Sequence, residues 1–209
     1  MIHEMLTPLI IAGIFFLFAL ILARRYRKTG HILSGCFLVL ILFLIYFARN
    51  PERQIPAGTD LIVAPADGRI IRIESSDSST TVAIFLSLTD VHINRIPCGG
   101  TVMTLTHIDG KFRPAFSDQA GKENERMRTV LQTPFGEVTM IQIAGLVARR
   151  IVCRLHKGQF VKTGEVFGMI KFGSCVELEL PTGVQLLINK GDRVRAGETL
   201  IGKFTHDLG

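Results

Sequence analysis

The chain has 209 residues, a formal net charge of +6 and a mean hydropathy of +0.35, which is too high for an ordinary soluble domain. The apolar excess sits at the N-terminus. Cys36, Cys98, Cys153 and Cys175 are scattered, with no Cys-x-x-Cys pair and no metal-ligand spacing, so reduced thiols are expected rather than a disulfide framework or a metal centre.

Leu6 to Ala23 and Ile32 to Phe47 are nearly uninterrupted apolar runs. Each is at the short end of the roughly 17 to 25 residues needed to cross a bilayer as a helix. Between them lies Arg24-Arg25-Tyr26-Arg27-Lys28-Thr29-Gly30-His31, read as a basic turn. Two apolar cores with the charge between them exclude a cleavable signal peptide and predict a membrane hairpin over residues 1–49. A spanning hairpin with its basic turn inside would put both termini outside, whereas Arg49 and Arg53 pull the other way. A re-entrant hairpin would leave turn and domain on one face. The expected location is the cell membrane, with the following domain on the cytoplasmic face.

Residues 50–209 are long enough for one domain with its own core. Leu61–Val63, Arg69–Ile73, Thr81–Leu86, Thr101–Thr106, Glu137–Ile143, Val176–Leu180 and Val184–Ile188 read as short strands bounded by Pro, Gly, Asp and Ser. Asp109–Arg128 reads as a long loop, with Phe112 and Phe116 among mixed charges, able to rest on a lipid interface as a lid. Lys157-Gly158-Gln159-Phe160-Val161-Lys162-Thr163-Gly164-Glu165 recurs as Lys190-Gly191-Asp192-Arg193-Val194-Arg195-Ala196-Gly197-Glu198. That repeat resembles the turn-strand-turn element of lipoyl- and biotinyl-type barrel sandwiches. The predicted fold is therefore mostly β: a lipoyl/biotinyl-like barrel-sandwich domain preceded by an α-helical membrane hairpin.

The chemistry centres on Phe172-Gly173-Ser174-Cys175. A glycine lets the backbone adopt strained geometry beside a serine hydroxyl. Attack of that hydroxyl on the Gly173 carbonyl gives an ester, and β-elimination leaves a dehydroalanine. Tautomerisation and hydrolysis then convert it to a pyruvoyl group. A serine hydroxyl needs a base, and the base needs an orienting group. The candidate base is His92, and the candidate carboxylates are Asp67, in an Ala-Asp-Gly turn, and Asp90. Cys175 reads as a small packed residue.

Pro65-Ala66-Asp67-Gly68, Asp90-Val91-His92-Ile93-Asn94-Arg95-Ile96-Pro97, Gly110-Lys111-Phe112, Glu123-Asn124-Glu125-Arg126, Gln142 to Val152 and Lys171-Phe172-Gly173-Ser174 occur in one order. Together they resemble the short prokaryotic class of phosphatidylserine decarboxylases, which includes archaetidylserine decarboxylases. The resemblance implies a self-processing carboxy-lyase, cut between Gly173 and Ser174 into a β chain, 1–173, and an α chain, 174–209. Ser174 would become the pyruvoyl cofactor, with no metal. Asp67 and His92 match positions that assist serine attack. The pyruvoyl carbonyl would form a Schiff base with the serine headgroup, serve as electron sink for loss of CO2, and leave His92 to protonate Cα. Asn94, Arg95, Phe112 and Arg149 are the substrate-binding candidates. The implied partners are an anionic serine phospholipid, the bilayer and the other piece of the same precursor; a homo-oligomer stays open, and no nucleic acid is expected. Two departures from the longer class are Arg95, where a second histidine stands, and Phe-Gly-Ser-Cys in place of Leu-Gly-Ser-Thr. The rival reading is a membrane-anchored adaptor or carrier built on the same barrel sandwich, without catalysis.

Overall fold

The computed structural model describes residues 2–113, 123–145, 151–170 and 174–205. It contains two compact units, Met1–Asn50 and Pro51–Gly209.

In the first unit, α1 (Ile2–Arg25) and α2 (Arg27–Phe47) leave only Tyr26 between them. The expected eight-residue basic turn is thus mostly helical. Arg and Lys are good helix formers, and their heads reach water from a helical backbone. Ala12, Ala19 and Ala23 of α1 and Gly30 and Ser34 of α2 are buried, small residues that let two helices approach closely. Phe15 stacks on Phe37 with ring centroids 5.5 Å apart. Both helices are long and apolar enough to cross a membrane by length and composition. At 1.5 Å per residue they are about 36 and about 32 Å long, against a hydrocarbon core of about 30 Å.

The second unit is mostly β, a curled sheet closed by two small ones. β1 (Leu61–Val63), β2 (Gly68–Ser75) and β3 (Ser79–Leu86) come first. There follow β4 (Ile93–Arg95), β5 (Gly100–Ile108), β6 (Arg126–Thr133), β7 (Gly136–Ile143), β8 (Ile151–Cys153), β9 (Phe160–Val161) and β10 (Val166–Ile170). The last strands are β11 (Ser174–Pro181), β12 (Val184–Leu186), β13 (Arg193–Val194) and β14 (Leu200–Phe204). The large sheet runs β13-β2-β3-β11-β7-β6-β5-β9, and the small ones are β1-β14-β12 and β4-β10-β8.

That order is a palindrome of two similar halves, and the detected sequence repeat is only part of it. β1, β2, β12, β13 and β14 have counterparts in β4, β5, β8, β9 and β10. The hydrogen bonds repeat as well. Gly164 N–H donates to Ile96 O and Gly197 N–H to Ala64 O, each at 2.8 Å. Gly158 N–H donates to Val102 O and Gly191 N–H to Ile70 O, again at 2.8 Å. Gly164 and Gly197 both have φ of +78°, a left-handed turn that glycine accepts without steric cost. The halves exchange Val63 N–H to Pro97 O and Arg95 N–H to Pro65 O, both 2.9 Å.

One asymmetry positions the site. In the second half, β6 and β7 are joined by a tight turn from Thr133 to Gly136. In the first half, the corresponding partners Leu86 and Ser174 pair across β3 and β11, but all of the second half is inserted between them. Ser174 therefore stands where the inserted half returns to the host half. Val82, Ile84 and Leu86 of β3, Val176, Leu178 and Leu180 of β11 and Val138 and Met140 of β7 face one core. Cys175 faces the other side of the sheet, with Ala83, Ile141 and Ile143.

The sequence reading missed β4, β6, β8, β9, β13 and β14, most of them two to five residues long. β6 is the exception in length. It was left out because Arg126, Arg128 and Gln132 interrupt the apolar pattern of a strand that pairs on both sides.

Candidate active site

β11 begins at Ser174, and strand alternation turns its side chain to the same face as Val176 and Leu178. The residue is fully buried, and its Oγ has no hydrogen-bond partner among the described residues. A buried hydroxyl without a partner is costly, about 1–3 kcal/mol, so a native fold retains one where chemistry or a ligand requires it. Gly173, the expected cleavage position, and Arg149 and Phe116 lie outside the described residues.

His92 leads into β4, which pairs with β10, the strand immediately before the Gly-Ser segment. Ile170 N–H donates to the His92 carbonyl at 3.2 Å, so the histidine is pinned against the chain approaching Ser174. Its side chain is fully buried. His92 Nδ1 lies 2.9 Å from the Asp90 carbonyl oxygen. A carbonyl only accepts, so Nδ1 carries the proton and Nε2 is the basic nitrogen of the neutral ring. Asp90 thus orients His92 through its backbone, while its carboxylate accepts from Ser87 N–H at 2.9 Å and Ser87 Oγ–H at 2.6 Å. Arg193 Nη1 is 3.8 Å from the same carboxylate.

Asp67 precedes β2 at the same end of the sheet, since Arg69 and Cys175 both pair with Phe85 of β3. Its carboxylate accepts from Arg53 Nη2, at 2.9 and 2.8 Å to the two oxygens, and from Ala196 N–H at 2.8 Å. Arg53 also donates to Glu198 at 3.3 Å. The Gln54 N–H, ahead of Arg53, holds the Glu198 carboxyl below its ordinary range. Arg95 Nη1 donates to Gly164 O at 3.0 Å and Nη2 to Pro51 O at 3.3 Å. Burial, and then the Arg53 charge, lowers its pKa. Asp67 and Arg95 thus belong to the network that fastens residues 51–54 to the two repeat turns.

Asn94 is fully buried in β4, and its Oδ1 accepts from Gln142 Nε2 of β7 at 2.8 Å. Phe112 is half-buried. Its segment is held by Asn124, which accepts from Arg113 N–H at 2.9 Å and donates to Arg113 O and Ala144 O at 2.8 Å each. Burial pushes the Cys175 thiol far up, in keeping with a packed residue rather than a nucleophile. Surface clefts of about 620 and 540 Å³ lie beside Arg53 and Glu198 and beside Gly99 and Phe160; neither is lined by Ser174 or His92.

A model of the phosphatidylserine decarboxylase family matches residues 40–202. The chain belongs to that family. A phosphatidylserine decarboxylase proenzyme of Chlorobium phaeobacteroides is 45% identical over 171 residues, covering 79% of this chain and 81% of its own. One from Chlorobaculum parvum is 40% identical over 202 residues, with 94% and 93% covered. One from Rickettsia africae is 41% identical over 201 residues, with 91% and 85% covered. As a member of the phosphatidylserine decarboxylase family, the chain is read as a lyase made as a proenzyme, acting in phospholipid biosynthesis.

Sequence reasoning passed over two buried residues of this decarboxylase fold, Gln142 and Asn124. Both stand inside the segments that carry the family resemblance, Glu123–Arg126 and Gln142–Val152. A buried polar residue in an otherwise apolar strand, Met140-Ile141-Gln142-Ile143, was the available signal.

Proposed function

We propose that the chain is a membrane-associated decarboxylase of phosphatidylserine, or of its archaeal counterpart, that makes its own pyruvoyl group from Ser174. The observation that carries this reading is the buried Ser174 Oγ, unpartnered among the described residues and set at the return of the inserted half.

In processing, Ser174 Oγ attacks the Gly173 carbonyl and its proton passes to His92 Nε2. The peptide nitrogen leaves Gly173, taking that proton from His92, as the ester forms. Loss of the Ser174 α-proton expels the Gly173 carboxylate, and hydrolysis of the resulting enamine, in its imine form, releases ammonia. Complete burial of Ser174 and His92 keeps water from the ester before elimination. A pyruvoyl group at position 174 would supply an electrophilic carbonyl for the serine amine and an electron sink for the loss of CO2. His92, held by the Asp90 carbonyl, would take up on Nε2 the proton that the substrate ammonium gives up and then deliver it to the substrate Cα. Asp67 and Arg95 keep the frame around the two repeat turns, and Phe112 and Arg149 serve the lipid side.

The cut would give β chain 1–173 and α chain 174–209. The apolar hairpin would keep the enzyme beside a lipid that does not readily leave the bilayer. Arg24, Arg25, Arg27 and Lys28 favour an anionic surface by about 1 kcal/mol each. Free thiols support a domain on the cytoplasmic face, and protease digestion of spheroplasts should leave that domain intact.

The deciding experiment is an intact-mass spectrum under denaturing conditions. Two pieces are expected, the smaller covering residues 174–209, about a sixth of the 23.1 kDa chain, and beginning with pyruvoyl. Ser174→Ala should stay uncut. A single uncut chain from folded wild-type protein overturns the reading.

A further inference from the structure

Among the described residues, Asn94 Nδ2, Gln142 Oε1 and Ser174 Oγ are buried side-chain atoms without a hydrogen-bond partner. They come together. Val176 pairs with Gln142 across β11 and β7, so Gln142 is the diagonal neighbour of Ser174 on the core face. Asn94 is hydrogen-bonded to Gln142 from the neighbouring small sheet. Gly168, opposite Asn94, leaves the space: a Cβ there would lie 2.8 Å from Gln142 Nε2 and 2.4 Å from Val152 O.

The network also sets the polarity of the two amides. Gln142 Nε2 faces Val152 O at 3.4 Å as well as Asn94 Oδ1 at 2.8 Å, and both oxygens only accept. That orientation leaves Asn94 Nδ2 as a spare donor and Gln142 Oε1 as a spare acceptor. Resting on the decarboxylase reading above, we propose that this pair recognises the amino-acid end of the substrate headgroup. Asn94 Nδ2 donates to the carboxylate, Gln142 Oε1 accepts from the amine, and Gln142 Nε2 holds Asn94 in its orientation.

A neutral donor suits this reaction better than a cation. The negative charge leaves the carboxyl carbon as CO2 forms, so a guanidinium there would stabilise the ground state more than the transition state and slow the step. An amide orients the carboxylate without that penalty. It also loses its partner once the headgroup becomes ethanolamine, which favours release of product.

The test uses the self-processed full chain in detergent micelles carrying phosphatidylserine or phosphatidylethanolamine. Borohydride traps lipid amine on the 174–209 piece, and intact mass reads the adduct. Wild type should trap the serine lipid in preference to the ethanolamine lipid. Asn94→Asp keeps Oδ1 for Gln142 but replaces the donor with an oxygen. Gln142→Glu turns the Asn94 amide round. Each should lower the preference by about ten- to a hundredfold, the effect of losing a hydrogen bond to a charged group. Unchanged preference in variants that still process would overturn the proposal. Should neither variant process, wild type is offered the carboxyl methyl ester of phosphatidylserine, which should trap at least about tenfold less well. Equal trapping overturns the proposal by that route. Wild-type protein that yields no 174–209 piece would refute the decarboxylase mechanism instead, a separate outcome.

Discussion

Cleavage after Gly173 should leave the 174–209 piece seated in the sheet, and Leu178→Ala should loosen it measurably. β11 is a central strand, paired with β3 from Ser174 to Pro181 and with β7 from Cys175 to Glu179. Leu178 sits in the middle of both ladders and is fully buried in the main core. Trimming its side chain to a methyl group should cost about 2–5 kcal/mol, the range for buried Leu→Ala changes. At 1.4 kcal/mol per factor of ten, the cut pieces would hold together about thirty- to several-thousand-fold less tightly. With a urea slope of about 2 kcal/mol per molar, the separation midpoint should fall by about 1 to 2.5 M. The assay is a urea titration of processed protein at fixed concentration, because the midpoint of a two-piece complex depends on concentration. Size separation reads the fraction of the 174–209 piece still bound. Lys203→Ala provides the contrast, since Lys203 is half-exposed and its ion pair with Asp60 is worth little. Two results would refute the reasoning: release of the wild-type piece without denaturant, or an equal midpoint for Leu178→Ala and wild type.

Three further outcomes follow from the site and the sheet. His92→Gln should slow processing or decarboxylation by about 10²–10⁴-fold, the usual contribution of a positioned acid–base group, while leaving the melting temperature within a few degrees; normal rates would remove His92 from the chemistry. Burial holds the Glu177 carboxyl above its ordinary value, Arg72 opposing. The folded chain therefore binds that proton at higher pH than the unfolded chain, and the stability it contributes is full below the ordinary carboxylate range and lost as pH rises through the raised value. Glu177→Gln should flatten the stability curve across that window and leave the urea midpoint at pH 7 unchanged or higher; an undiminished pH dependence would exclude the assignment. Asp90→Asn keeps the backbone carbonyl that holds His92 and one acceptor for Ser87, so it should process within about tenfold of wild type, with a stability loss near 1 kcal/mol; complete failure to cut would mean that the carboxylate itself serves the reaction.

Much of this protein was determined by local pattern. Two runs without charge can satisfy their backbone in lipid only as helices, so the α1–α2 hairpin was legible from composition alone. β-branched residues between Gly, Pro and Asp marked β1, β2, β3 and β7, and the Lys-Gly-x-x-Val-basic-x-Gly-Glu repeat marked two turns that need glycine at positive φ. The Gly-Ser pair stood out because few other residues present a hydroxyl to a neighbouring carbonyl. What the tertiary structure decided is which of these pieces meet. Leu86 and Ser174 are ladder partners although the second half of the domain lies between them. Neither local propensity nor hydropathy encodes a partner so distant along the chain. The same holds for Asp67, whose carboxylate is claimed by Arg53, and for Asp90, which orients His92 by its carbonyl rather than its side chain. Hydrogen bonds of a few ångströms are set by how strands register and twist, and that register follows from burying Val176, Leu178 and Leu180 on one face of β11.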